Sequence, residues 1–144
     1  GKNGAAGEMH FKMRTDKHRK CTCGSYDCFE AYASGTGLKR TAEEISGDQE
    51  ITTYDVIQNQ DRPMMKKIFE KWQNDILEGI IGLANIFDPD VVVLSGSMAE
   101  FVDIEYLEKQ ANKEIVTTPF KVVKASAGNY SGMIGAALLA LGVK

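Results

Sequence analysis

Residues 88–97 read DPDVVVLSGS. Three valines and a leucine stand between turn-forming residues, a short, continuous, β-branched run. Such a run suits a strand buried on both faces of a parallel sheet better than an alternating, half-solvated one. Its surroundings extend the reading. Upstream, Met65, Ile68, Phe69, Trp72, Ile76, Ile80, Leu83, Ala84 and Phe87 recur at spacings of three and four, which makes one broad apolar helix face that stops at DPD. Pro63 suits the first turn of that helix. Downstream, DIEYLEKQANKEIV (103–116) has the pattern of an amphipathic helix and FKVVKAS (120–126) that of a second strand. NYSGMIGAALLALG (129–142) is a helix rich in small residues, with Gly132, Ala136 and Ala137 placed to allow close packing. Strand, helix, strand, helix is the βαβα order of an α/β fold.

Ahead of the long helix the signals are more local. FEAYASGTGLKRTAEEIS (29–46) is helical at both ends and interrupted at SGTG, where Ser34 or Thr36 would cap a new helix. A short helix follows a turn near residue 50, with Thr52 or Thr53 as its N-cap. Residues 1–28 are loop-like, rich in glycine and charge, and contain every cysteine of the chain. The expected organisation is a loop over 1–28 and an α/β body over 29–144, together one structural domain, with no internal repeat.

The 144 residues, 43% hydrophobic and 26% charged, match an ordinary globular domain and leave disorder without support. A net charge of −3 and a pI near 5.4 argue against a general nucleic-acid or membrane-surface binder. The local basic cluster Arg14, Lys17, Arg19, Lys20 reads as a solvated loop. The most apolar stretch, DILEGIIGLANIFDPDVVVL, is broken by Glu78, Asp88, Pro89 and Asp90, so it reads as core helix and core strand with no membrane span. No basic segment leads into an apolar one as in a secretory signal. GKNGAAGE reads like the middle of a loop, so the expectation is a piece of something longer. Cysteine usage places it in the cytoplasm.

Cys21, Cys23 and Cys28 fall within eight residues, and their number is odd, so they cannot pair off. The C-x-C-x4-C spacing is tight for a disulfide and lacks the C-x-x-C of redox catalysts. A thiolate zinc site fits better, three thiolates and one imidazole being a common structural set. Gly24 lets the chain bend back after the second cysteine, and Asp27 tolerates a left-handed backbone before the third. His10 and His18 compete for the fourth position, and spacing alone does not decide between them.

NGAAGEMH, CTCGSYDCFEAYASGTGL, DPDVVVLSGS and GNYSGMIGAALLA, in that order, resemble the C-terminal lobe of a ROK-family sugar kinase, the family of repressors, open reading frames and kinases that includes bacterial glucokinases. The family signature has the form G-E-x-G-H followed by C-x-C-G-x-x-G-C-x-E. Here Glu8-Met9-His10 is one residue short and lacks the glycine, and Asp27 stands where the family favours glycine. The resemblance implies an actin-like (ribonuclease H-like) ATPase fold with sugar and ATP between two lobes. By it, Glu8, His10 and Glu30 face the sugar, His10 joins Cys21, Cys23 and Cys28 around a structural zinc, and Ser95, Gly96 and Ser97 lie on the nucleotide side.

The same likeness implies a Mg·ATP-dependent hexose kinase in the complete protein, glucose being the first expected substrate and N-acetylmannosamine the rival. The family's catalytic Asp and Gly-rich phosphate loops match nothing here, so the chain alone is expected to be inactive. Expected partners are the hexose, the N-terminal lobe of the same protein and further copies in a homo-oligomer. Nucleic acid enters only under the alternative of a sugar-sensing repressor of the family.

Overall fold

Local chemistry explains where the helices begin. The computed structural model describes residues 9–142. Helix α1 (Glu30–Ala33) ends at Ser34, whose extended backbone starts helix α2 (Gly35–Ser46) and whose hydroxyl accepts from Gly37 N–H. Ser34, not Thr36, is therefore the cap, and Gly35-Thr36-Gly37 belongs to the helix. Gly47, at φ 74°, closes α2 in the left-handed conformation that glycine adopts freely. Thr52 caps helix α3 (Thr53–Gln58) through a capping box with Asp55. Pro63 is the first residue of helix α4 (Pro63–Phe87).

The chain divides into two compact units, residues 1–79 and 80–144, the division falling within α4. In the first unit, Phe29, Tyr32, Leu38, Ala42, Val56, Ile68, Trp72 and Ile76 are buried. Trp72, fully enclosed, donates its indole N–H to the carbonyls of Ala33 (3.0 Å) and Ser34 (3.1 Å), which ties α4 to the α1–α2 corner. Gly37 is forced by sterics, because a Cβ there would lie 2.2 Å from the Tyr32 carbonyl oxygen. Gly79 likewise makes room for the Phe29 ring, which stacks on Phe11 at 4.9 Å.

In the second unit, strand β1 (Val91–Leu94) pairs in parallel with strand β2 (Lys121–Lys124), Val92 opposite Val122. Helix α5 (Ile104–Glu114), capped by Asp103, connects them as a βαβ unit. Leu107, Ala111, Phe120 and Val122 form its buried centre. Side chains of α5 also hold the second strand: Asn112 exchanges two hydrogen bonds with the Phe120 backbone, and Glu108 accepts from Val122 N–H. Helix α6 (Ser131–Ala140) follows a 3-10 turn.

The α/β class read from the sequence holds, with three corrections to burial. Val91 and Val93 are 45% and 54% exposed, so β1 is not covered on both faces. No residue of α6 is buried, and a Cβ added at Gly132 would meet nothing within 4 Å, so the close packing expected of that glycine is not found among the described residues. Phe87, at the end of the α4 stripe, is exposed as well. Hydrophobic pattern reports what a segment is suited to bury, and these described residues do not supply the cover.

Candidate functional site

The cysteine loop is a narrow antiparallel fold-back. Lys12 bridges to Cys28 and Lys20 to Tyr26, each in antiparallel fashion. Backbone bonds from Met13 to Asp27, Phe29 to Phe11 and Glu30 to Met9, each 2.8 Å, lay residues 9–13 along 27–30 and so bring His10 beside Glu30. Two of the loop's turns use left-handed backbone: Gly24 at φ 86° and Asp27 at 57°. Met9, immediately before His10, is also left-handed at 57°. A non-glycine residue thus carries the bend that glycine would take without strain.

This geometry gathers His10, Cys21, Cys23 and Cys28 so that one ligand atom from each lies within 4.8 Å of all the others. Cys21 Sγ is 3.5 Å from His10 Nδ1, and the sulfurs of Cys23 and Cys28 are 3.6 Å apart. Around a tetrahedral zinc with bonds of about 2.0–2.3 Å, ligand atoms sit roughly 3.3–3.8 Å from one another. The donor set and these two separations suit that ion. Cys21 and Cys28 are buried and Cys23 is exposed. Burial pushes the Cys28 thiol up to about 12, so a thiolate there needs a cation beside it. The N–H of Ser25 draws the Cys23 thiol below its ordinary value. His18 is turned away, its Nε2 lying 3.3 Å from Glu44. Of the two competing histidines, the structure brings His10 to the thiols.

Glu30, first residue of α1, meets the same cluster. Its Oε2 accepts from the Cys21 thiol at 3.1 Å and the Thr22 hydroxyl at 2.9 Å, and lies 3.6 Å from His10 Nδ1. The thiol contact holds the Glu30 carboxyl below the usual carboxylate range. With about a third of its side chain exposed, the ionised carboxylate can accept hydrogen bonds from a ligand in solvent. Glu8 lies outside the described residues.

Ser95, Gly96 and Ser97 occupy the end of β1 in the second unit. Gly96 takes φ 95°, and Ser97 opens a 3-10 turn (Ser97–Phe101). Together with Leu94, Lys124, Ser126 and Gly128, Ser95 and Gly96 line an open cleft of about 190 Å³ beyond the carboxyl ends of both strands. That is where parallel α/β sheets receive ligands.

Sequence reading missed one group around the loop. Arg19, taken there as part of a solvated basic run, is 5% exposed and fully engaged. Its guanidinium donates to both carboxylate oxygens of Glu44, to Thr41 Oγ1 and to the carbonyls of Ala31 and Gly37. Asp27, also buried, accepts from the N–H of Arg19 and the hydroxyl of Tyr32. The one signal was Asp27 itself, a carboxylate where the family pattern prefers glycine.

The profile of the ROK family matches residues 1–143. The chain belongs to the ROK family. With the family comes its actin-like ATPase fold. The N-acetylgalactosamine kinase AgaK of Shewanella sp. (strain ANA-3) is 36% identical over 131 residues, 85% of this chain and 41% of that protein. The N-acetyl-D-glucosamine kinase of Pectobacterium atrosepticum is 30% identical over 156 residues, 98% of this chain and 51% of the relative. A ROK family glucokinase from Streptomyces griseus, solved in complex with glucose and AMPPNP, aligns with a TM-score of 0.75 at 25% identity, over 91% of this chain and 49% of that one. The ROK chain described here spans about half the length of the curated relatives it matches.

Proposed function

We propose that this ROK chain is the sugar-facing, zinc-bearing part of an ATP-dependent hexose kinase. The observation that carries the reading is the placement of Glu30 and His10 side by side on a loop whose four N and S donors suit one zinc. His10, Cys21, Cys23 and Cys28 would hold that ion, which supplies rigidity to the loop and no chemistry of its own. Glu30, with Glu8 and the free edge of the His10 ring, would accept and donate to sugar hydroxyls. Two such groups held in fixed positions suit a polyol, and they need little ordering when it arrives.

Ser95, Gly96 and Ser97 would line the nucleotide side. Gly96 leaves backbone open to close approach, and Ser95 and Ser97 offer hydroxyls. Mg·ATP would be the phosphoryl donor in the complete protein, and the base that takes the sugar hydroxyl's proton would come from outside this chain. Phosphoryl transfer depends on such positioning and on charge stabilisation, so these residues alone would not achieve it. Assembly with an N-terminal lobe and a homo-oligomeric state belong to the same reading, as does action in the cytoplasm. No helix of the described residues is long and apolar enough to cross a membrane.

The sugar is a hexose or an N-acetylhexosamine. Glucose comes first on the sequence resemblance, while the relatives' names put N-acetylgalactosamine and N-acetylglucosamine beside it. The test is sugar-dependent ADP release by the full-length protein over glucose and the N-acetyl derivatives of glucosamine, galactosamine and mannosamine, with metal analysis of the same sample. One zinc per chain and turnover of at least one sugar support the reading. Absence of zinc or of all sugar-dependent turnover overturns it.

A further inference from the structure

We infer that Arg19 and Asp27 are positioning residues that clamp the metal loop to helix α2, and thereby set the geometry of the four donors and of Glu30. The inference rests on the zinc-loop reading above, and deepens it by naming what fixes the loop.

The clamp has two halves. Across the loop, Arg19 and Asp27 bond one another twice: Asp27 N–H donates to the Arg19 carbonyl at 2.8 Å, and Arg19 N–H donates to Asp27 Oδ1 at 2.8 Å. Because Arg19 lies two residues before Cys21 and Asp27 one before Cys28, this pair closes the loop at its neck. Asp27 Oδ1 also receives the Tyr32 hydroxyl at 2.7 Å, and Oδ2 the His18 N–H at 3.2 Å. Toward the body, the Arg19 fork holds Glu44 at 2.9 and 2.6 Å, Thr41 at 2.9 Å and the Ala31 carbonyl at 3.1 Å. Its guanidinium also lies over the Tyr32 ring, 4.5 Å from the centroid. A planar, always-charged group can satisfy all these partners together, whereas an ammonium cannot. Ala31 follows Glu30 directly, so the bond to its carbonyl anchors the turn that presents the Glu30 carboxylate.

Asp27 supplies the sharper argument. The backbone here is left-handed, so glycine would remove strain at this position. The chain instead carries a buried carboxylate with three donors on it. If the residue served only the turn, glycine would do better.

The experiment uses the full-length, zinc-loaded protein and measures the rate of zinc transfer to a chromogenic chelator, beside the KM values for sugar and ATP. Groups that orient metal ligands typically change metal affinity by tenfold or more when removed. Arg19→Met is expected to release zinc about tenfold faster and to raise the sugar KM while the ATP KM stays within about twofold. Arg19→Lys should not restore the slow release. Asp27→Gly, which relaxes the backbone and keeps the protein folded if Arg19→Met does not, should also accelerate release. Wild-type rates in folded Asp27→Gly, or in both variants, overturn the clamp while leaving the zinc loop standing. A wild-type protein without zinc overturns the zinc loop, and the clamp with it.

Discussion

Glu30 Oε2 lies 3.1 Å from Cys21 Sγ, so the residue that would face the sugar touches a residue that would hold the metal. With zinc bound Cys21 is a thiolate without a proton to give, so Glu30 then keeps only its bond from the Thr22 hydroxyl. Replacing Glu30 by Gln keeps the shape and removes the charge. A hydrogen bond to a charged group contributes about 1.5–3 kcal/mol, or roughly 10- to 100-fold in binding. Glu30→Gln in the full-length protein should lower kcat/KM for the sugar by at least about tenfold, with less than about twofold change for ATP. Steady-state kinetics with each substrate varied in turn decides it; equal losses for both would sink the sugar role.

The two histidines give a second, sharper comparison. His10 Nδ1 is 3.5 Å from Cys21 Sγ, whereas His18 pairs with Glu44. His10→Ala and Cys28→Ser should each lose most of the bound zinc on purification. His18→Ala should keep about one zinc per chain. Zinc retained by His10→Ala would remove that residue from the ligand set.

These residues also mark the limit of what a sequence can reveal. Local chemistry was readable: Thr52, one of two candidates, caps α3, Gly24 and Asp27 take left-handed turns in the cysteine loop, and the valine run became a strand. Contacts between distant residues were not. Arg19 looked solvated because three of its neighbours are charged, and only the fold brings Glu44 and Thr41 to it. The choice of His10 over His18 likewise depends on backbone pairing of residues 9–13 with 27–30, which no local spacing encodes. In the other direction, the apolar pattern of β1 and α6 promised burial that the described residues do not supply.

Gly37 and Trp72 test the joint beneath the loop. A Cβ at Gly37 would press on the Tyr32 backbone, which has no flexible end to move aside. Gly37→Ala should destabilise by about 3 kcal/mol or fail to fold. Trp72→Phe keeps most of the ring volume but strands the Ala33 carbonyl, while Ser34 O keeps its bond from Leu38 N–H, so a loss of about 2–4 kcal/mol is expected. Urea unfolding midpoints measure both. A Trp72→Phe protein as stable as wild type would mean that the indole bond does not hold α4 to the α1–α2 corner.

Glu108 gives a pH dependence in the second unit. The Lys121 ammonium beside it and the Val122 N–H hold its carboxyl below the usual range, and the Glu108 contact raises Lys121. A lowered carboxyl stabilises the fold while ionised. Its contribution is complete above the ordinary Glu value of about 4.3 and disappears as pH falls through the lower folded value. The raised Lys121 acts at the other end: its contribution is present at neutral pH and is lost only as alkaline pH passes its folded value. Glu108→Gln should therefore flatten the acid-side fall in urea midpoint between about pH 5 and 3. Parallel curves for variant and wild type would show that the pair contributes nothing to acid sensitivity.

Helix α6 carries the largest run of exposed apolar side chains among the described helices. Met133, Ile134, Leu138 and Leu139 are 65%, 47%, 43% and 79% exposed, and Val91 and Val93 of β1 are bare too. Stable proteins in water rarely leave so many large apolar side chains uncovered on one short helix. The proposed N-terminal lobe is the partner that would cover them. The 144-residue chain alone should accordingly bind an apolar dye and self-associate, and Leu139→Glu should reduce both. It should also show no sugar-dependent ADP release. In the full-length protein, backbone amides of α6 should exchange with deuterium at least about tenfold more slowly than in the isolated chain, since amide protection follows local burial and opening free energy. Equal exchange in the two forms would mean that the proposed N-terminal lobe does not cover α6.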